Sequence, residues 1–336
     1  MAQVLIYTDP HLGLKRKANF TPASAAAREK EAITSLLSLV REAKDEGQTV
    51  FCAGDFFDKA NNPEEVIDST LEIAEYTNII LAGNHDVKNN VESVSSLDIV
   101  NRVCGNVLFS DEFGFDVVEI GDWEFVFVPH TMTQERFTKI LGRLLKHGVK
   151  KGVLILHCNY DTINSEDDIH LTLTRDMAEQ LLTKFQYIFI GHEHTAKEDF
   201  DGRLQLIGSF RPTAFDNLDE KSVIVFDTET GSFNRRVVWE PSVYVGPASG
   251  AYSDLGKQYY DIEDDLEVGS IQSLAVDLMS KGAFGVRIRN TTQNKDLDEI
   301  DYKSIEFLPE VVVNDIQKHE PDLLETYNNL LKSVVE

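Results

Sequence analysis

The stretch VLIYTDPHLG, residues 4–13, joins a run of apolar residues to the polar residues Asp9 and His11. The run is apolar at every position, which is typical of a strand in a sheet whose two faces are both covered. Helix-like stretches such as residues 23–44 separate it from further apolar runs, which lie at 49–53, 79–82, 125–128, 153–156, 187–190, 204–207 and 222–226. Strands and helices that alternate in this way predict a layered α/β fold.

Polar residues follow five of the apolar runs within a few positions. Ligands and catalytic groups of α/β sheets gather at the carboxyl ends of the strands, so we expect these segments to meet in one cleft. The candidate site residues are Asp9, His11, Asp55, Asn84, His85, His157, His192 and His194.

These side chains supply carboxylates, imidazoles and one amide, which suit Mn²⁺, Fe²⁺ or Zn²⁺ better than Mg²⁺. Residues i and i+2 of a strand point the same way, so Asp9 and His11 can reach one ion together if the chain stays extended there. His192 and His194 lie just past a strand, where the loop decides whether they serve one ion or two. A single motif of this kind is more often structural, but its recurrence in five segments favours a metal site.

The composition restricts the class of protein. With 336 residues, 42% of them hydrophobic and 26% charged, the chain resembles a soluble folded protein. No apolar run is long enough to cross a bilayer and the N-terminus has no signal-peptide pattern, so we expect a cytoplasmic protein without membrane contact. Cys52, Cys104 and Cys158 are odd in number and widely spaced, which predicts free thiols.

The formal charge of -25 should repel polyanions at long range. Any contact with DNA would then be local, metal-assisted or shared with a partner. Two basic groups could contact phosphates, although each is also an ordinary solvated face. They are Lys15, Arg16 and Lys17, and Arg136, Lys139, Arg143, Lys146, Lys150 and Lys151. No helix-turn-helix, zinc-finger or RNA-binding motif is present, which argues against sequence-specific recognition.

The character of the sequence changes after about Pro241. The stretch VGPASGAYSD (245–254) resembles a linker, and residues 258–290 predict a strand, a helix and a strand. We therefore expect domains at 1–240 and 241–295, followed by a C-terminal helical segment at 296–336. An apolar stripe in that segment either packs on its own domain or binds a partner, with the two alternatives about equal. The stripe consists of Leu323, Leu324, Tyr327, Leu330, Leu331 and Val334.

Five segments, in order, resemble the signature of the calcineurin-like metallophosphoesterase superfamily: DPH (9–11), GDFFD (54–58), GNHD (83–86), the histidine of LHC (156–158) and GHEH (191–194). The resemblance covers about residues 1–230. Within the superfamily, DPHLG, GDFFD, GHEHT and LIGSFRPTAFD are most similar to the SbcD-type recombination nucleases, including phage counterparts. It implies an α/β fold in which a two-sheet sandwich is flanked by helices, with a small α/β cap domain and a C-terminal helical segment.

The resemblance also implies two divalent metal ions, with Mn²⁺ as the expected metal. One ion would be bound by Asp9, His11 and His194, and the other by Asn84, His157 and His192, with Asp55 shared. Such a pair, about 3.5–4 Å apart, promotes in-line hydrolysis of a phosphodiester.

Three more residues receive supporting or catalytic roles from the resemblance. Asp58 would contact a metal ligand without binding an ion itself. His85 would protonate the leaving oxygen or stabilise the transition state, and Asp86 would orient that imidazole.

SbcD-type proteins act with an SbcC-type, SMC-like ATPase as exonucleases on double-stranded DNA ends and endonucleases on single strands. The resemblance therefore predicts a nuclease of DNA recombination, repair and replication, a homodimer within a heterotetramer. Its expected location is the cytoplasm, at the nucleoid or in an infected cell, and the apolar stripe would dock on the ATPase. One alternative is a small-molecule phosphodiesterase or phosphatase with the same metal centre. The other is a non-enzymatic scaffold, and the intact ligand set and His85 argue against the scaffold alone.

Overall fold

The computed structural model describes residues 2–14, 22–87, 94–147, 149, 151–161, 171–214, 217–266 and 268–289. Among them, residues 2–14 and 29–241 form one compact unit, and residues 22–28 and 242–289 group in a second. The domain boundaries at 240 and 295 stay predictions. The segment 296–336, with its apolar stripe, lies outside the described residues.

The first unit contains two six-stranded sheets and a short two-stranded one. The strands are β1 (Gln3–Tyr7), β2 (Thr49–Cys52), β3 (Ile79–Leu81), β4 (Val107–Leu108), β5 (Asp116–Ile120), β6 (Trp123–Val128), β7 (Gly152–His157), β8 (Asn159–Tyr160), β9 (Thr172–Leu173), β10 (Tyr187–Gly191), β11 (Lys197–Asp199), β12 (Leu204–Leu206), β13 (Lys221–Asp227) and β14 (Ser232–Trp239). All eight apolar runs predicted as strands are confirmed.

Both large sheets are mixed. In the order β14-β13-β1-β2-β3-β4, the last four strands are parallel and β13 is antiparallel to both of its neighbours. In the order β11-β12-β10-β7-β6-β5, the four central strands are parallel and the two edges antiparallel. Strands β8 and β9 pair with each other.

Helices cover the outer faces of the two large sheets. They are α1 (Pro22–Asp45), α2 (Glu64–Tyr76), α3 (Ser96–Cys104), α4 (Gln134–Leu144) and α5 (Arg175–Leu181). The first three contribute to a core on one sheet, and the last two to a core on the other. Helix α3 begins at a capping box, in which the Ser95 hydroxyl accepts from the Asp98 N–H at 3.1 Å and Asp98 accepts from the Ser95 N–H at 2.7 Å.

Side-chain alternation explains why the strands are apolar at every position. In β1, Val4 and Ile6 join a core between the two sheets, whereas Leu5 and Tyr7 face the core under the helices. The central core takes residues from both sheets, so the sheets pack face to face. The predicted α/β fold, with two sheets flanked by helices, is confirmed.

The second unit contains β15 (Val243–Gly246), α6 (Ala248–Ala251), β16 (Tyr259–Glu263), α7 (Val268–Ser280) and β17 (Gly285–Arg289). Its three strands form a parallel sheet in chain order, and the strand, helix and strand predicted for 258–290 are confirmed. The linker interpretation of 245–254 is wrong. Gly246 ends a strand and Pro247 precedes a short helix, so these two residues mark the boundary between two regular elements.

The cysteine prediction is confirmed, because Cys52, Cys104 and Cys158 are free, with Cys52 and Cys158 buried. Burial raises the pKa of the Cys52 and Cys158 thiols. Within the described residues, no helix has the length and hydrophobicity needed to cross a membrane.

Candidate metal centre

The predicted site residues meet where five strands end, three of them in one large sheet and two in the other. Asp9 and His11 follow β1, Asp55 follows β2 and Asn84 follows β3, while His157 ends β7, and His192 and His194 follow β10. The structure thus brings the five segments together. Their metal-competent atoms form two clusters that share no residue, Asp9–His11–His194 and Asp55–His157–His192, and a third group, His11–Asp58–His85, shares His11 with the first.

In the first cluster, His11 Nε2 and His194 Nε2 lie 3.0 Å apart. Asp9 Oδ1 lies 3.7 Å from His11 Nε2 and 3.8 Å from His194 Nε2. The other oxygen of Asp9 accepts from the Thr8 hydroxyl at 2.5 Å and from the His192 N–H at 2.9 Å. Asp9 Oδ1 is buried without a hydrogen-bond partner, so the cluster has the unpaired acceptor that a cation would satisfy.

The chain is not extended at Asp9 and His11, so the condition under which strand alternation would bring them to one ion is not met. Their φ values are +50° and +45°, in the left-handed region that non-glycine residues rarely adopt. Hydrogen bonds from Asp9 N to Gly54 O at 3.1 Å and from His11 N to Asp55 O at 3.2 Å hold this turn. The turn still brings the two side chains together, by a route that strand alternation does not predict.

In the second cluster, His157 Nε2 lies 3.2 Å from Asp55 Oδ2 and 3.2 Å from Asn84 Oδ1. Asn84 Oδ1 also lies 2.9 Å from His192 Nδ1. The other nitrogen of His157 lies 2.9 Å from the Ala53 carbonyl, which only accepts, so Nδ1 carries a proton. In the neutral ring, Nε2 then faces two oxygen acceptors with a lone pair, which fits a divalent ion.

Asp55 lies between the clusters. Its Oδ2, besides facing His157, is 3.8 Å from His11 Nε2 in the first cluster. Its Oδ1 accepts from the His85 N–H at 2.9 Å. One carboxylate therefore faces ligands of both clusters and also fixes the loop that carries His85.

The expectation that Asp86 orients His85 is wrong. The His85 ring is held instead by the Asp58 carbonyl oxygen, which lies 2.7 Å from His85 Nδ1. Buried Asp86 instead accepts from the N–H groups of Phe56, Phe57 and Gly83 at 2.9–3.1 Å and so joins two ligand loops. The Asp58 carboxylate lies 3.4 Å from His11 Nδ1, behind that ligand.

Residues 2–196, more than half of the chain, match the family described as calcineurin-like phosphoesterase. The chain belongs to this family. Its members use a dinuclear centre of divalent metal ions, and the two clusters provide ligands of the kind that this centre needs. The protein is therefore a metal-dependent hydrolase of phosphoesters.

Solved structures similar to this phosphoesterase share little sequence with it. A novel archaeal phosphodiesterase is 16% identical with a TM-score of 0.36, over 70% of this chain and 99% of that one. The 5′-nucleotidase from Candida albicans SC5314 is 13% identical with a TM-score of 0.40, over 70% of this chain and 51% of that one. No curated protein sequence matches the chain.

Burial and neighbouring charges shift the pKa values of the clustered histidines. Burial lowers the pKa of His11, but the neighbouring carboxylates of Asp58 and Asp9 outweigh it and raise the pKa to about 10. Burial of His157 is likewise outweighed by the Asp55 carboxylate, which raises its pKa to about 9. For His194, burial dominates and lowers the pKa to about 4.

We expect Mn²⁺ to bind more tightly as the pH rises from about 6.5 to about 9. An ion binds the deprotonated imidazole, so it must displace the protons that the raised pKa values of His11 and His157 retain. The affinity should rise up to about tenfold per pH unit for each proton released. In chelator-treated protein, the contribution of these histidines to the free energy of unfolding should change with pH in the opposite direction. These histidines stabilise the fold fully below about pH 6.5, and this contribution is lost as the pH rises through about 9 to 10.

Calorimetric titration with Mn²⁺ in buffers of different ionisation enthalpy measures both the affinity and the protons released. Thermal unfolding of chelator-treated protein over the same pH range measures the stability. An affinity that does not change with pH would contradict the prediction.

Gly191→Ala should disrupt the phosphoesterase site. A Cβ at Gly191 would overlap Thr8 Oγ1 and lie 2.5 Å from the Ala53 carbonyl oxygen, so the backbone that carries His192 would have to move. We expect a loss of about 1–3 kcal/mol in unfolding free energy, as for other overpacked positions, together with weaker metal binding. Gly142→Ala is the matched control, because a Cβ there meets nothing within 4 Å in helix α4, and it should stabilise by up to about 1 kcal/mol. Denaturant unfolding and metal content check both variants, and wild-type behaviour of Gly191→Ala would refute the prediction.

Basic residues of the phosphoesterase make contacts inside its own first unit. Arg136 and Arg143 donate to backbone carbonyls of residues 111–113. Lys139 pairs with Glu135 at 2.6 Å, and Lys151 pairs with Asp122 at 3.2 Å. Lys15, Arg16, Lys17 and Lys150 lie outside the described residues.

Proposed function

We propose that this phosphoesterase is a metal-dependent nuclease that cuts DNA exonucleolytically at double-stranded ends and endonucleolytically in single strands. The observation that carries the proposal is the exposure of the described residues at the centre. His85 is exposed, and Asn84, His192 and His194 are partly exposed. Sites for small molecules enclose most of their ligand, whereas side chains that are open to solvent can meet the backbone of a polymer. The motifs DPHLG, GDFFD and GHEHT, similar to those of SbcD-type nucleases, support the same choice.

The proposal gives each side chain a task. Asp9, His11 and His194 would hold one ion, and Asn84, His157 and His192 the other, with Asp55 between them. The ions, with Mn²⁺ proposed from this donor set, would supply the nucleophile from water and neutralise charge on the phosphoryl oxygens. Because His85 Nδ1 is held by the Asp58 carbonyl, Nε2 would be the nitrogen that meets the leaving oxygen.

The formal charge of -25 supports a division of labour with a partner. An SbcC-type, SMC-like ATPase would supply much of the DNA-binding surface, and the complex would act in recombination and repair with a homodimer of this chain. The apolar stripe from Leu323 to Val334 would dock on the ATPase. Deleting residues 296–336 should then abolish co-purification with the ATPase and leave hydrolysis of bis-p-nitrophenyl phosphate intact.

Degradation of end-labelled linear duplex DNA with Mn²⁺ tests the proposal, using protein purified with and without a co-expressed ATPase subunit. Cleavage in either preparation, lost when the ions are chelated, is the expected result. If no DNA is cleaved while bis-p-nitrophenyl phosphate and cyclic nucleotides are hydrolysed, the protein is a small-molecule phosphodiesterase. If the protein hydrolyses no phosphoester at all, the remaining alternative is a non-enzymatic scaffold.

A further inference from the structure

Described residues of the segment 209–221, which follows the last histidine motif, contact two of the candidate ligands, His11 and His194. We propose that this segment positions His11 and His194 for the ion that they share. None of its described residues belongs to either ligand cluster. The inference rests on the proposed two-ion centre and names the residues that build one half of it.

The imidazole of His194 is held from the side opposite the cluster. Thr213 Oγ1 lies 2.7 Å from His194 Nδ1, and Asn217 Nδ2 donates to the same hydroxyl at 2.7 Å. The side-chain oxygen of Asn217, Oδ1, accepts from the N–H groups of Thr213 and Ala214 at 2.9 and 3.0 Å, which fixes the orientation of the side-chain amide. Thr213 and Asn217 are both buried, so water does not compete for these contacts.

This network can hold His194 as the tautomer that binds a metal ion through Nε2. A hydroxyl oxygen has two acceptor lone pairs, so Thr213 can accept from Asn217 and from His194 Nδ1–H together. With the proton on Nδ1, the neutral ring presents a lone pair on Nε2, the atom that faces His11 and Asp9. Thr213 is thus placed to prepare His194 for metal binding.

The main chain of His194 is held by the same segment. Its carbonyl oxygen accepts from Ser209 N at 3.1 Å and from Lys221 Nζ at 2.9 Å. Lys221 is buried and its charge is paired with Asp219 at 2.7 Å. A buried lysine directed at a ligand's carbonyl fixes the loop that carries the imidazole.

A second buried cation holds His11 in a similar way. Arg211 Nη2 donates to the His11 carbonyl at 2.5 Å and to Glu29 Oε2 at 2.7 Å. The other oxygen of Glu29 accepts from Gly13 N at 2.5 Å, so the ion pair grips the chain on both sides of Leu12. Because His11 has a φ of +45°, its conformation persists only where such contacts hold it.

The other cluster does not use this support in the same way. His157 is held by the Ala53 carbonyl, and Asp55 by its contact with the His85 N–H. A change confined to Thr213 should therefore weaken one ion and spare the other. A general loss of stability would instead weaken the binding of both ions.

Thr213→Val tests the inference, because it removes the hydroxyl and keeps the shape of the side chain. We expect one of two Mn²⁺ ions to bind about 10–100-fold more weakly while the other binds as in the wild type. Calorimetric titration of the full chain gives both affinities, and elemental analysis after desalting gives the ion content. Thr213→Ser keeps the hydroxyl and should restore both ions.

Thr70→Val is the matched control, since Thr70 is buried in helix α2 and its hydroxyl donates to the Ile67 carbonyl at 2.9 Å. It should change neither affinity. Wild-type binding of both ions by Thr213→Val, or equal weakening of both, would overturn the inference. Thr213→Ala carries the same expectation and replaces the valine variant if that one does not fold. Metal binding is measured without substrate. A wild-type protein that cleaves no DNA would therefore refute the proposed nuclease function without affecting the test of Thr213.

Discussion

Replacing Asp55 with asparagine is expected to lower kcat by about 10³-fold or more and to reduce the metal content of the protein. Asp55 Oδ2 faces the imidazole of His157 at 3.2 Å and that of His11 at 3.8 Å, one in each cluster. The two ions contribute several kcal/mol of charge stabilisation in the transition state, and each 1.36 kcal/mol corresponds to a factor of about ten. Losing the shared ligand should therefore remove most of the rate.

The substitution is informative because asparagine keeps the shape of aspartate. Its carbonyl oxygen can still accept from the His85 N–H, so the loop can stay in place. The amide nitrogen would face His157 without a negative charge or a free lone pair. The loss would then come from the metal centre rather than from the fold.

Hydrolysis of bis-p-nitrophenyl phosphate with saturating Mn²⁺ measures the rate, and elemental analysis measures the ions. Asp261→Asn is the matched control, a buried carboxylate in the other unit that is paired with Arg287 and Arg289. It should lower the unfolding temperature and leave kcat on this small substrate within about twofold. Activity of Asp55→Asn within tenfold of the wild type would refute the shared role of Asp55.

The central strands could be predicted from the sequence because their burial on both faces leaves a continuous apolar signal. Strands that expose one face gave no comparable signal, and they were missed. Strand β5, Asp116–Ile120, is only partly buried and contains Glu119, while β14 contains Arg235 and Arg236. Strand β4 has two residues, which is too short for any periodicity.

The meeting of these side chains could be predicted because each follows an apolar run at the same end of a strand. The contacts behind the ligands could not. The turn at Asp9 and His11 depends on positive φ values held by the Gly54 and Asp55 carbonyls, more than 40 residues along the chain. Thr213 reaches His194 only because the intervening chain folds back, and neither its type nor its spacing marks it in the sequence. The role expected for Asp86 failed for the same reason, since adjacency to His85 says nothing of where its carboxylate turns.

His85→Ala is expected to lower kcat for DNA by about 10²–10⁴-fold, the range for removing a general acid, with the metal content unchanged. The His85 side chain is exposed and held through Nδ1 by the Asp58 carbonyl, which leaves Nε2 for the substrate. His85 also forms a group with His11 and Asp58 that could hold a metal ion, so the number of bound ions must be measured. A loss of ions in His85→Ala would make His85 a ligand rather than an acid.

The leaving group separates the two catalytic roles considered for His85. The alkoxide released from DNA needs a proton, whereas p-nitrophenolate is a weak base and leaves without one. If His85 is the acid, the alanine variant should lose much less activity on bis-p-nitrophenyl phosphate than on DNA. Equal losses on both substrates would instead assign His85 to transition-state stabilisation, which acts on the phosphoryl oxygens whatever group departs. His147→Ala is the control, since His147 lies near Glu124 outside both clusters and should leave both rates unchanged.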